Sequence, residues 1–214
     1  MERLFLDYAE CFNLLKKYKL PVVDLELAKS KEELLKKAEK LGYPVVLKII
    51  SRKVVHKTDA GGVKLNIQNE TEAIKAFHEI QNVTKKLKIR FNGVYVQRFI
   101  PGELMYVGAK QDPQFGPVIT FGLGGVYVEV LRDVSYRIAP LDEESALEMI
   151  KETKAYRVLS CCRNKVGIKL LQNILLKVSK LMVNNHQVQE LDLNPVIVNK
   201  NYSLIADARI LIEK

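Results

Sequence analysis

One stretch gathers side chains of the kind that move phosphate. Ser51 to Leu65 reads S-R-K-V-V-H-K-T-D-A-G-G-V-K-L, with His56, Lys57, Asp59 and a Gly61-Gly62 pair between two apolar runs. A tight strand-to-strand turn needs far fewer polar groups. On residue type alone His56 is a phosphoryl acceptor, a general base or a solvated imidazole, and the loop leaves the three open. Adjacent glycines allow backbone N–H groups to turn toward an oxyanion in conformations closed to other residues. Lys48, on the apolar run before the loop, adds a point charge suited to a phosphate.

A second constellation lies near the end of the sequence, E-L-D-L-N-P at Glu190 to Pro195, with Asp207 in I-A-D-A-R. On a strand, Asp192 and Asn194 share a face because side chains alternate with period two. Pro195 bars an ordinary ladder bond, so the chain there is at an edge or leaving a strand. Asp207 on an adjacent antiparallel strand is expected to sit opposite them. Two or three such oxygens, completed by water and nucleotide phosphates, suit Mg²⁺; the plainer reading is a polar edge with a turn. Gly122-Leu123-Gly124-Gly125 is either a turn between strands or a backbone nest for phosphate. Tyr127 stands where a dinucleotide fingerprint needs its third glycine, and no G-x-x-x-x-G-K-[ST] occurs, which excludes a P-loop.

The elements that must hold these residues follow from the periodicity. Leu4, Tyr8, Cys11, Leu15 and Tyr18 recur at helical spacing, so the first segment is expected to be an amphipathic helix ending before Pro21. Val22 to Leu27 reads as a strand. Ser30 with Glu33 forms a capping box for a helix that Gly42 stops. Pro44 to Ile50 and Val63 to Ile67 read as strands flanking the histidine loop. Asn69 with Glu72 opens a helix to about Lys88, and Gly93 to Ile100 is a strand broken by Pro101-Gly102. Beyond it come strands at Glu103 to Lys110, Pro117 to Phe121, Val126 to Val130 and Ser135 to Ala139, with a turn at Asp112 to Gly116. Helices are expected over Asp142 to Thr153 and Lys165 to Val183. Apolar runs then follow at Val188 to Leu193, Val196 to Val198 and Leu204 to Ala206. This is a mixed α/β chain of two lobes, residues 1–100 and 101–214.

Composition sets the outer bounds. The chain is 48% hydrophobic and 28% charged over 214 residues, ordinary globular values. No apolar run approaches the ~20 residues that span a bilayer, and M-E-R-L-F-L-D-Y is no signal peptide, so a cytoplasmic protein is expected. Cys11, Cys161 and Cys162 have no C-x-x-C spacing and suggest neither disulfides nor zinc. The net charge of +9 comes largely from lysines mixed with glutamates on helical stretches. With no arginine-rich tract and no aromatic-basic interleaving, it points to polyanionic nucleotides or an acidic partner rather than nucleic acid or membrane.

Taken together, L-G-Y-P-V-V-L-K-I, H-K-T-D-A-G-G-V-K-L, D-P-Q-F-G-P-V, F-G-L-G-G-V-Y-V-E-V and E-L-D-L-N-P with D-A-R resemble the ATP-grasp beta subunit of ADP-forming acyl-CoA (acetyl-CoA) synthetases, relatives of the succinyl-CoA synthetase beta chain. The likeness runs in order over nearly the whole sequence. It implies an ATP-grasp fold, two α+β lobes with the nucleotide held between them, that binds ATP/ADP with Mg²⁺. It also implies a hetero-oligomer with a CoA-binding alpha subunit. By the same resemblance His56 is the phosphoryl acceptor and Asp192 the acidic residue near the phosphohistidine. Lys48 binds phosphate, Gln97, Phe99 and Ile100 belong to the hinge that meets adenine, Glu103 lies near the ribose, and Asn194 and Asp207 are the metal ligands. Gly124 and Gly125 fall in its glycine-rich loop. The chain departs from the family between Tyr156 and Lys169, where Cys161-Cys162-Arg163-Asn164 replaces a Gly-Tyr-Arg-Gly run. Two other readings stay in view: a non-catalytic nucleotide-binding regulatory subunit, and a stand-alone ATP-grasp ligase joining a carboxylate to an amine.

Overall fold

A computed structural model of the chain describes residues 2–51, 57–125, 133–161 and 167–214. It divides into two compact units, Val23–Ile100 and a larger one made of Met1–Val22 with Pro101–Lys214. The larger unit therefore takes back the N-terminal residues that the sequence reading grouped with residues 1–100. The physical reason is strand pairing: Arg3–Phe5 (β1) lies antiparallel to Arg209–Glu213 (β11). Leu4 is thus a strand residue, and the first helix (α1) starts later, at Tyr8–Lys17. Asp7 and Glu10 cap its start reciprocally, a capping box that marks the true helix entry.

The smaller unit is a four-stranded antiparallel sheet backed by two helices. Its strands are Leu25–Ala28 (β2), Val45–Ile49 (β3), Val63–Ile67 (β4) and Val94–Arg98 (β5), in the order β2-β5-β3-β4. The helices are Lys31–Leu41 (α2) and Glu70–Lys86 (α3). Ser30 and Asn69 cap them by accepting from the amides of Glu33 and Glu72. The Glu33 carboxylate answers to the Lys29 amide rather than to Ser30, so the expected box is shifted by one residue. Leu34, Ala73, Phe77 and Ile80 from the helices close over Val45, Leu47, Ile49, Val94 and Val96. Val46, Lys48, Tyr95 and Gln97 are cross-strand partners on the opposite face.

The larger unit is built on a seven-stranded antiparallel sheet. Besides β1 and β11 it contains Glu103–Asp112 (β6), Gly116–Leu123 (β7), Val134–Ile138 (β8), Val188–Val198 (β9) and Ser203–Ile205 (β10). Their order is β1-β11-β9-β6-β7-β8, with β10 pairing β9. Glu143–Lys151 (α4), Lys154–Cys161 (α5) and Ile168–Asn184 (α6) pack on one face. The Ser135 hydroxyl donates to the Met149 carbonyl and the Gln111 amide to the Met182 carbonyl, which fixes which face that is. Val107, Ile119, Phe121, Leu191, Leu193 and Ile210 lie on that side, fully or almost fully buried.

Three further elements differ from expectation. The helix Lys154–Cys161 was not foreseen, although Ala155 and Leu159 are buried at i,i+4 spacing. The apolar runs at Val188 and Val196 are one strand, β9, bulged at Asn194-Pro195 where its pairing with β6 shifts register. The bulge is what admits a proline that cannot donate to the ladder. The final strand, β11, also went unread. Val126 to Val130, and the Cys162 to Val166 part of the divergent segment, lie outside the described residues.

Candidate functional site

Lys48 and Gln97 in the smaller unit, and Asp192 in the larger, lie on the sheet face turned away from the helices. In the smaller unit Lys48 projects from β3 beside Tyr95 and is only 4% exposed. Its place in the middle of a sheet, not at a frayed end, makes it a fixed charge. Gln97, next along that face, is 3% exposed, and its Oε1 has no hydrogen-bond partner among the described residues. A buried amide oxygen without a donor is costly unless something supplies one; the exocyclic amine of a purine is such a donor. Phe99 follows, its amide donating to the Pro44 carbonyl, and Ile100 is the last residue of the unit.

His56 lies outside the described residues; the segment after it does not. The Gly61 amide donates to the Thr58 carbonyl at 2.9 Å and the Gly62 amide to the Lys57 carbonyl at 2.7 Å. Both donors are therefore engaged inside a tight turn, which corrects the expectation that they face an oxyanion. Glycine is needed at 62 for a different reason: a Cβ there would lie 2.5 Å from the Ile49 side chain.

In the larger unit the candidates sit on β6, on β9 and beside β11. Asp192 and Asn194 both lie on β9. The residue opposite Asp192 is Arg209, not Asp207 as expected. Asp207 falls just before β11, in the link from β10, yet its charge still bears on Asp192. Burial first, and then Asp207, push the Asp192 carboxyl up to about 6, with Arg209 pulling the other way. One carboxyl oxygen, Oδ1, is buried with no hydrogen-bond partner among the described residues. Arg209 is itself held over the Phe5 ring at 4.1 Å.

Asn194 Oδ1 accepts from the Gly125 amide at 2.9 Å, and the Gly124 amide donates to the Leu104 carbonyl at 2.7 Å. The glycine-rich loop is thus latched to the candidate metal ligand, and neither amide is a free phosphate donor; the nest reading of Gly124 and Gly125 is corrected on that ground. Glycine at 124 permits close approach, since a Cβ would meet the Met105 carbonyl oxygen at 2.6 Å. Glu103 opens β6, opposite Val198.

An oxygen-only donor set with two carboxylates in mutual repulsion fits a hard divalent cation. The Asn194 carbonyl oxygen keeps a second lone pair beside the one Gly125 uses. Among the described residues no group of three or more His, Cys, Asp or Glu side chains gathers into a metal cage. A cation here must therefore share ligands with phosphate and water, the habit of Mg²⁺.

A neighbour of Asp192 that sequence reasoning did not single out is Tyr106. It lies on β6 on the Asp192 face, half-buried, and its hydroxyl oxygen sits 2.1 Å from where a Cβ on Gly108 would be. Gly108 is the cross-strand partner of Asp192. The phenol is pushed up to about 12 by burial and by the nearby Asp192, Tyr136 and Glu190. A bulky-then-glycine alternation two residues apart on a strand was the available signal.

Residues 1–212 match the model of the ATP-grasp domain family. The acetate–CoA ligase (ADP-forming) I subunit beta of Pyrococcus furiosus is 42% identical over 95% of this chain and 90% of its own length. The chain belongs to the ATP-grasp beta subunits of the ADP-forming acetate–CoA ligases. A single-chain ligase of the family, from Archaeoglobus fulgidus, is 46% identical over 95% of this chain, which spans only 30% of that longer protein. Among solved structures, acetyl-coenzyme A synthetase 1 of Ca. Korarchaeum cryptofilum superposes with a TM-score of 0.92 at 43% identity. The match covers 98% of this chain and 94% of that one, which is bound to coenzyme A and Ca-AMPCP. The same protein with coenzyme A and Mg-AMPPCP has its phosphohistidine segment pointing towards the nucleotide binding site, and matches at a TM-score of 0.83 with 41% identity, over 97% and 92% of the two chains. Both units thus have the family's ATP-grasp fold.

Proposed function

We propose that this chain is the nucleotide-binding subunit in acyl-CoA + ADP + phosphate ⇌ acid + CoA + ATP, carrying a phosphoryl group between a histidine and ADP. The observation that carries the reading is the buried Oδ1 of Asp192, unpartnered among the described residues, which feels the charge of Asp207 and lies two residues from Asn194 on β9. Lys48, Gln97, Phe99, Ile100 and Glu103 bind the nucleotide, Lys48 as the phosphate charge and Gln97 as the acceptor for the base. Asn194 and Asp207 would hold Mg²⁺, whose charge would offset that of the phosphates. His56 takes the phosphoryl group on a neutral ring nitrogen, and the P–N bond breaks as the P–O bond to ADP forms. Asp192 receives the other ring N–H and so fixes the tautomer.

Transfer of this kind asks the protein mainly for position and charge, and a buried lysine and the latched Asn194 oxygen support that reading. A partner that binds CoA completes the enzyme in a cytoplasmic hetero-oligomer. The support is that the family's single-chain members are more than three times as long as the region matched here. No helix among the described residues is long and apolar enough to cross a membrane. The regulatory-subunit and carboxylate–amine ligase readings have no observation that favours them.

The test is direct. Incubation with labelled ATP and Mg²⁺ should leave an acid-labile, base-stable phosphate on His56. His56→Ala should lose the label while retaining ATP binding, because Lys48 and the metal ligands are untouched. Full acyl-CoA synthetase turnover by a His56→Ala complex would return this histidine to the solvated reading.

A further inference from the structure

The larger unit holds a cavity of about 280 Å³ where the segment after α1, the helix α6 and the strand β10 come together. Lys19, Asn173 and Lys177 supply the polar part of its wall, and Leu170, Ile174 and Leu204 the apolar part. An apolar wall with a few convergent polar groups is the ordinary form of a small-molecule site. The wall is held by bonds between distant parts of the chain. The Ile205 amide donates to the Pro21 carbonyl at 2.8 Å, and the Tyr202 hydroxyl to the Pro101 carbonyl at 2.9 Å. Pro21 and Tyr202 both line the cavity, so its shape exists before any ligand arrives. None of the residues read above for nucleotide or metal takes part in it.

The charge of the cavity is of one sign. Among the described residues no aspartate or glutamate lines it, and neither lysine has an ion pair. The Lys177 ammonium donates to the Lys19 carbonyl at 2.7 Å, a bond that uses one of its three N–H donors. A cleft lined by cations alone concentrates anions. Ser203 also lines the cavity, and its buried hydroxyl has no partner among the described residues, so no bond opposes its turning toward a ligand. We propose that this cavity binds a small organic anion, a carboxylate or phosphate group on a short apolar body. The anionic head meets Lys19 and Lys177, and the body lies on Leu170, Ile174 and Leu204. A bare inorganic ion leaves the apolar wall wet, and a neutral molecule leaves the ammonium groups without a counter-charge, so each binds more weakly.

Benzoate and phenyl phosphate test the two head groups, with benzamide as the neutral match and inorganic phosphate as the match without a body. Titrated into the full chain at low salt, at least one organic anion should bind by calorimetry and shift the Leu170 and Ile174 methyl resonances. Its affinity should fall as salt rises. The tighter of the two identifies the head group. Lys177→Met keeps the aliphatic stem and removes the charge, so it should weaken that anion about tenfold while melting with wild type. Lys19→Met should weaken it in the same direction. Lys48→Ala, in the smaller unit, should leave its affinity unchanged. The proposal is overturned if neither organic anion binds, or if benzamide or inorganic phosphate binds as tightly as the better one. Wild-type affinity in both Lys19→Met and Lys177→Met, or a loss in Lys48→Ala, would overturn it as well.

Discussion

The two faces of the seven-stranded sheet are made by the same strands and obey different rules. On one, Val107, Phe121, Leu193 and Ile210 are buried beneath α4 to α6, and neighbours of similar size and polarity serve alike. On the other, Tyr106, Gly108, Asp192 and Arg209 follow one another across three strands, each of a different chemical kind. The smaller sheet repeats the division, hydrocarbon under α2 and α3 and Lys48 with Gln97 on the far side. Period-two alternation lets one strand serve stability and chemistry at once, one per face. It also means that the two can be broken separately.

The largest effect should come from the buried face. Phe121 is fully buried, so Phe121→Ala removes a ring and leaves a cavity, a loss of about 3–5 kcal/mol in unfolding free energy. Chemical denaturation should register it as a lower midpoint. Tyr136 on the adjacent strand is 59% exposed on the open face, and Tyr136→Ala should change stability by no more than about 0.5 kcal/mol. Equal losses at the two positions would show that the open face is covered by something that the division of faces does not include.

Asp192 sharpens the contrast, because there the proposed function and stability oppose each other. Its folded-state pKa of about 6 stands above the ordinary 3.8. A raised carboxyl pKa means that ionisation disfavours the fold. The penalty is absent below about pH 4, grows as pH rises through 6, and is complete above it. At 1.36 kcal/mol per unit this amounts to about 2–3 kcal/mol. Asp192→Asn should therefore melt higher than wild type at pH 8 and level with it at pH 4, while losing phosphoryl transfer. A variant less stable than wild type at pH 8 would mean that the carboxylate is compensated in the native chain.

In the smaller sheet, Lys48→Ala should weaken ATP binding by about 1.5–3 kcal/mol, the worth of a charge-assisted contact. Removing a buried ammonium should not destabilise the fold to match, since the helix-covered core is untouched. Titration calorimetry against thermal melts separates the two. Unchanged nucleotide affinity would make Lys48 a structural residue.

What the sequence made legible follows the same line. Helix caps at Ser30 and Asn69, and the alternation of β4 and β6, carry strong local signals, because burial of one face is written into every second residue. The resemblance supplied the chemical residues, which no periodicity marks. Arg209 opposite Asp192 was illegible, because the register of β11 is set by its pairing with β9 and not by its own few residues. The tie from Asn194 to Gly125 spans a sequence separation of 69 and leaves no local trace. The place of Tyr106 was hidden for a related reason: it depends on what Gly108 lacks, and on Gly108 facing Asp192.

The smallest effect tests whether the open face is a coupled row or a set of independent residues. Arg209 does two things: it stacks on Phe5 at 4.1 Å, and its charge restrains the rise in the Asp192 pKa. Arg209→Gln removes both. Loss of the stacking contact costs about 0.5–1 kcal/mol at any pH. Loss of the charge matters only where Asp192 is ionised, so it adds nothing at pH 4 and deepens the deficit at pH 8. The melting-temperature difference from wild type should therefore widen between those two values, and the Asp192 titration should move further above 6. Introducing Asp192→Asn into the Arg209→Gln background should remove the widening and leave only the pH-independent stacking loss. A deficit that stays constant with pH would confine Arg209 to its contact with Phe5, and the row would be independent residues that merely share a face.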